Sequence, residues 1–383
     1  MASRPSSSAS QLNPRVTAST VLQSNKEEHQ QSVENDLEVK GTMANESHGA
    51  ENKESDTIRE INQSISTKTT AETKTQEIHA AVPEGNKAYA DNRSANDVYV
   101  TCLVSDGRRT GNLLFNYAAS ISTAWRYSLK LLVHPEFQLQ DYFKMNVEVD
   151  KRVREWSENW TVVAEKAWGI YDDKFEHLGE EVTRSNFSLY GFYQSWKYFK
   201  SYEDDLRRSL VFRDDVIGGA QNEIQRLIPN VTFVDHPMKA KINGGTLVGL
   251  HVRRGDILLP EKLEFGYTTP ETSFFRNAVA FFVDRYPHLH VMVCCEDIVW
   301  CQSNLRGLAA NVYFSHIDDG IVDLAILSMS EHVIMTTGSF GWWGAWLANG
   351  TTVYYSDWPR NSSMLSQGFV KEDYFMPHWI PMT

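Results

Sequence analysis

From residue 246 onward, hydrophobic and polar positions fall into alternating blocks of two kinds. Short apolar runs rich in β-branched residues, TLVGLHV, HLHVMVCC, NVYFS, HVIMTT and TTVYYS, predict buried strands. Between them ETSFFRNAVAFFVDRY, DIVWCQSNLRGL, GIVDLAILSMSE and GWWGAWLANG carry apolar residues at helical spacing. Strand and helix alternating to residue 356 predict a parallel sheet covered by helices on both faces. A similar start occurs at 98–104, where VYVTCLV reads as a strand, SDGRRTGN as a turn and LLFNYAASISTAWRYS as a helix. Residues 135–225 are rich in aromatic and charged side chains, and VREWSENWTVVAEKAW, YGFYQSWKYFK and DDLRRSLVF read as mostly helical. NGG at 243–245 marks a turn. The expected fold class is therefore α/β, with two Rossmann-like lobes, 98–245 and 246–383, and a cleft between them.

Composition separates a further segment. Residues 1–97 contain no Phe, Trp or Cys and a single Tyr, Tyr89, and are rich in Ser, Thr, Glu, Asn, Gln and Lys. Such a segment cannot bury enough apolar surface to offset the entropy of ordering, so it is expected to be a disordered tail. The net charge of −12 argues against a nucleic-acid partner, since binding phosphate backbones demands a basic surface. No apolar run approaches the ~18–20 residues that span a bilayer, and no signal-peptide core follows Met1. As written, the chain reads as soluble. Against that stand N-x-S/T sequons at Asn159, Asn186, Asn230, Asn349 and Asn361, and in the tail at Asn45, Asn62 and Asn92. Their density leans towards the secretory pathway. Cys102, Cys294, Cys295 and Cys301 lack zinc-site spacing and read as buried thiols with room for one disulfide.

Candidate chemistry gathers at strand ends. In LVGLHVRRGDI, Arg253 and Arg254 follow the strand at its carboxyl end, where open α/β sheets bind ligands. Guanidinium forks grip phosphate oxygens two at a time and suit a diphosphate whose charge grows as it leaves. A plain surface Arg–Asp pair, with Asp256 as the acid, fits the spacing equally well. In MTTGSFGWWGAWLANG, Gly338–Gly341 is expected to form a turn and a helix to start near Trp342, making an anion site with the Ser339 hydroxyl. Trp342, Trp343 and Trp346 read as core. Asp323 is a lone acid in an apolar helix; it suits either the paired N–H edge of guanine or a helix N-terminus. No strict Asp-x-Asp, the usual divalent-ion motif of sugar-nucleotide enzymes, occurs in the chain, and Glu203-Asp204-Asp205 reads as solvated. Two arginines replacing a metal is the coherent reading.

VGLHVRRGD, WCQSNL and VDLAILSMSEHVIMTTGSFGWWGAWLANG closely resemble the α-1,2-fucosyltransferases, glycosyltransferase family 11, strongly over 246–356. RRTGNLLFNYA resembles the family's first-loop Gly-Arg-x-Gly-Asn pattern through Arg109, Gly111 and Asn112, with Arg108 in place of the leading glycine. The resemblance implies a two-lobed GT-B fold, GDP-β-L-fucose as donor substrate, inversion at the anomeric carbon, and no metal or other cofactor. It implies that Arg253 and Arg254 hold the β-phosphate, that His251 and Asp256 order them, and that Ser339 and Phe340 line the donor pocket. Asp323 stands where the wider group places its guanine-binding acid.

The base that takes the acceptor proton would be Asp256 or, second, Glu261. The acceptor implied is a glycan ending in galactose, held by the first lobe and the Trp-rich middle. The family also implies a Golgi membrane protein with a signal anchor and lumenal stem; the polar tail resembles the stem, and the anchor is absent from the chain as written. Two alternatives stay open: a GDP-sugar-binding or lectin-like protein without turnover, and a fucosyltransferase of another linkage.

Overall fold

The computed structural model describes residues 97–103, 109–234 and 238–383. The tail expected to be disordered, its sequons and Arg108 lie outside the described residues. The first lobe is built on strands β1 (Tyr99–Leu103), β2 (Lys130–Val133), β3 (Glu148–Val149), β4 (Thr161–Ala164) and β5 (Phe187–Tyr190). They form one parallel sheet in the order β3-β2-β1-β5-β4. A small antiparallel ribbon, β6 (Thr232–Val234) with β7 (Lys239–Lys241), leads out of this lobe.

The second lobe holds β8 (Thr246–Val252), β9 (Leu289–Cys295), β10 (Asn311–Phe314), β11 (His332–Met335), β12 (Thr352–Tyr355) and β13 (Ile380–Met382). Its order, β10-β9-β8-β11-β12-β13, is parallel throughout. Counted from β8 this is 3-2-1-4-5-6, the doubly wound dinucleotide-binding order. The direction of winding reverses between β8 and β11, and ligands bind beyond the carboxyl ends of strands at such a reversal. The expected two-lobed, GT-B-like α/β fold is what the chain adopts.

The helices that position the site are α1 (Thr110–Tyr127), α2 (Pro260–Phe265), α3 (Ile298–Leu305), α4 (Gly320–Met329) and α5 (Ser339–Ala348). Helix α1 is buried from Leu113 through Ala124, because it runs between the first sheet and α5 rather than over a surface. Trp342, Trp343 and Trp346 of α5 are 0, 0 and 1% exposed. Phe115 of α1 sits 4.7 Å from the Trp342 ring and 5.1 Å from that of Trp343. The three tryptophans are core, as their spacing predicts, and one continuous hydrophobic core joins both lobes. The C-terminal segment ties the lobes a second time: the Tyr171 N–H donates to Asp373 Oδ2 at 2.8 Å, and the Trp342 indole N–H to the Tyr374 carbonyl at 2.8 Å.

Several expectations change. The middle region is not mostly helical: it contains β3, β4 and β5, and YGFYQSWKYFK is loop with short 3-10 turns. Its strands have two to four residues, too few to impose a period against the surrounding aromatic residues. Helix α5 begins at Ser339, three residues before Trp342, because Gly338 adopts φ 88° and lets the chain enter the helix directly from β11. All four cysteines are free thiols. Asn186 accepts the Tyr99 N–H at 2.8 Å, so that sequon serves an internal contact. Among the described residues no helix is long and apolar enough to cross a membrane.

Candidate active site

A cleft of about 720 Å³ opens at the reversal point of the second sheet and is closed on its other side by the first lobe. His251, the penultimate residue of β8, is buried with its ring 5.3 Å from that of Phe340. A Cβ on Gly341 would lie 2.3 Å from His251 Nδ1, so glycine alone permits this approach of α5 to β8. Burial, and then the charge of Arg253, push the His251 imidazole down to about 3. It is neutral at physiological pH.

Arg253 leaves β8 under tight control. Its N–H donates to Thr336 Oγ1 at 2.9 Å, pinning the end of β8 to the end of β11. Its side chain is 14% exposed, lines the cleft, and donates from Nη2 to Asp256 Oδ1 at 2.8 Å. Among the described residues its buried Nε has no hydrogen-bond partner, and neither has that of Arg254. Arg254 takes the opposite side. Its guanidinium lies 3.9 Å over the Trp300 ring of α3 and 3.7 Å from Asp297, and it is not among the cleft residues. Successive side chains on an extended segment point to opposite faces, so adjacency in sequence separates the two arginines in space. The second guanidinium in the cleft is instead Arg109, which precedes α1, pairs with Asp256 and reaches Glu296 at 4.0 Å.

Asp256 is thus held by an arginine from each lobe. Partial burial lifts its carboxyl, but the Arg109 hydrogen bond and the charges of Arg253 and Arg109 outweigh this and hold it below its usual range. A carboxylate gripped this way is a weak base, and its evident work is to aim two guanidinium groups. Glu261 is exposed and outside the cleft, because α2 turns Lys262 and Phe265 inward instead. Neither base candidate therefore stands free in the site.

Asp323 lies in the first turn of α4 and faces the cleft. The Ser315 hydroxyl donates to its Oδ1 at 2.6 Å, and burial pushes its carboxyl up to about 6. Ser339 and Phe340 line the cleft at the start of α5. The Ser339 hydroxyl donates at 2.7 Å to Asn112 Oδ1, which also accepts from Gln194 Nε2 at 2.8 Å. A Cβ on Gly111 would sit 2.7 Å from the Ser339 carbonyl carbon and the Phe340 nitrogen, so α1 meets α5 backbone to backbone. The structure therefore brings together His251, Arg253, Asp256, Asp323, Ser339, Phe340, Arg109, Gly111 and Asn112, and leaves out Arg254 and Glu261. Gln194, Glu296 and Tyr267 join them in the cleft with no signal in the spacing, and Thr336 supports it from beneath through the Arg253 N–H. Among the described residues no three His, Cys, Asp or Glu side chains gather as a metal site.

This geometry suits a substrate with a diphosphate between a ring system and a transferable group. The sequence profile described as glycosyl transferase family 11 matches residues 64–383. The chain belongs to glycosyl transferase family 11. It is a glycosyltransferase, and the resemblance carried by VGLHVRRGD and TGSFGWWGAW holds at family level. The family 11 relatives it resembles include galactoside alpha-(1,2)-fucosyltransferase 1 of Rattus norvegicus, 26% identical over 285 residues, covering 73% of this chain and 72% of that protein. The same-named protein of Bos taurus is 25% identical over 307 residues, 77% and 79% of the two chains. Among solved structures, POFUT1 in complex with GDP-fucose aligns at 10% identity and TM-score 0.46, over 68% of this chain and 98% of that one.

Proposed function

We propose that this family 11 enzyme transfers L-fucose from GDP-β-L-fucose to the 2-hydroxyl of a terminal galactoside, with inversion and without a metal. The observation that carries the donor side is the Arg253 guanidinium, 14% exposed, in one cleft with that of Arg109 and the Asp323 carboxylate. As the bond from fucose to the β-phosphate lengthens, negative charge accumulates on the diphosphate. Arg253 and Arg109, both already oriented by Asp256, meet that charge without reorganising. The neutral His251 packs beneath Arg253 rather than competing with it as a second cation. The acceptor and linkage rest on the names of the galactoside alpha-(1,2)-fucosyltransferase relatives. The test is incubation with GDP-fucose and a β-galactoside in EDTA, with the product linkage read by NMR. An α-1,2 product is expected; a different linkage, dependence on added metal, or GDP-fucose binding without turnover overturns the corresponding part.

Asp323 supplies a pH prediction. As a carboxylate it accepts both the N1–H and N2–H of guanine. Because burial raises it to about 6, acidification through that value removes one acceptor. The donor KM is expected to climb between pH 7 and pH 5, and Asp323→Asn should have a raised donor KM that no longer varies over this range. Folding stability should move the other way. A carboxyl whose folded pKa exceeds its unfolded one relieves a buried charge on protonation, so its contribution to stability grows as pH falls through about 6. A donor KM that is flat in the wild type would exclude Asp323 from the guanine site.

A further inference from the structure

Away from Asp323 and Ser339 the cleft changes character. Besides Phe192 and Phe340, four of its lining residues are aromatic: Trp168 from the first lobe, and Phe265, Tyr267 and Trp358 from the second. Their rings run in an unbroken series, Trp168 to Trp358 at 6.0 Å, Trp358 to Tyr267 at 6.4 Å and Tyr267 to Phe265 at 6.4 Å. The series passes the reacting centre at its third ring, Tyr267, which feels the charges of Arg253, Asp256 and Arg109. Its far end is open: Phe265 is 40% exposed.

Aromatic clusters are usually core, and exposure separates three of these four rings from it. Three of the four rings are only partly covered, although both lobes contribute to them. The fourth, Trp358, is 2% exposed and belongs to the core, and among the described residues its indole N–H has no acceptor. The Trp343 and Trp346 N–H groups are also unpartnered among the described residues, and neither residue lines this cleft. Gln138 and Gln194 add neutral amide groups to the same cleft.

We propose that this wall is the acceptor subsite, and that it takes a neutral pyranose, galactose in type, by stacking. This rests on the fucosyl-transfer reading and goes beyond it by naming the surface that selects the acceptor. The galactopyranose face bearing the C3, C4 and C5 hydrogens is apolar, because its axial 4-hydroxyl projects from the other side. That face lies on the rings while the opposite edge meets the Gln138 and Gln194 amides. Aromatic surface gives affinity at little entropic cost, and a few polar groups fix the orientation.

Saturation-transfer NMR with lactose and GDP, on wild type, Trp168→Ala, Trp168→Phe and Phe265→Ala, tests the proposal. Transfer should be strongest to the galactose H3, H4 and H5. It should be largely lost in Trp168→Ala, weakened in Phe265→Ala and mostly kept in Trp168→Phe, with GDP affinity within about twofold of wild type as the measure that the donor side is intact. With turnover, the acceptor KM of Trp168→Ala should rise about tenfold while that of Trp168→Phe stays within about threefold of wild type. Equal transfer in all four proteins, or transfer spread evenly over the sugar, overturns the subsite. Failure of the fucosyl-transfer reading looks different: the wild type would then neither transfer nor hydrolyse GDP-fucose, whatever the lactose spectra show.

Discussion

Arg253→Ala is expected to lower turnover by about 10²–10³ while leaving the fold intact, the usual cost of removing one preorganised donor from a developing charge. The side chain lines the cleft, 14% exposed, and Asp256 orients it through Nη2 at 2.8 Å. Asp256 keeps Arg109 when Arg253 is lost, which protects it from becoming an uncompensated charge. Arg253→Lys should recover only part of the rate, because an ammonium is a point charge without the planar fork. Arg254→Ala should lose far less, since that guanidinium stacks on Trp300 outside the cleft. Steady-state kinetics on the three variants decide the matter. Near-normal turnover in Arg253→Ala would remove the central element of the mechanism.

The second large effect is expected from a single methyl group. Gly111→Ala would put a Cβ 2.7 Å from the Ser339 carbonyl carbon, its hydroxyl and the Phe340 nitrogen. Two of these are backbone atoms of α5, which cannot rotate away, so α1 must retreat. Overpacking of this kind costs about 1–3 kcal/mol of stability. The catalytic cost should be larger. Arg109 and Asn112 flank Gly111, and the Ser339–Asn112 hydrogen bond crosses the same contact. Displacements near 1 Å in such a site cost about 10²-fold in rate. The melting temperature and kcat/KM measured together test this. Unchanged kcat/KM would mean that the meeting of α1 and α5 does not set the geometry of the cleft.

The aromatic wall was the least accessible part of the site. Trp168 and Trp358 are 190 residues apart in sequence by their own numbering and belong to different lobes, yet their rings lie 6.0 Å apart. No periodicity links them, because they stand on loops, whose paths depend on what the sheets beneath them do. The same holds for Gln194 and Thr336. The charged part was more legible. His251, Arg253 and Asp256 follow a strand whose apolar run is plain, and the position of ligands beyond such strands is a general property of parallel sheets.

The alternating apolar runs and helical spacings from 246 to 356 determined the second lobe on their own, since each element is long enough for its period to exceed the noise of its neighbours. They also determined the tryptophan core of α5 and the strand end from which the arginines emerge. Only the tertiary structure decided which guanidinium enters the cleft, that Asp256 is held from both lobes, and that Glu261 faces away. Those outcomes depend on side-chain direction and on contacts between residues far apart in the chain. A linear pattern records which face of an element is apolar, but not what the opposing lobe brings to meet it.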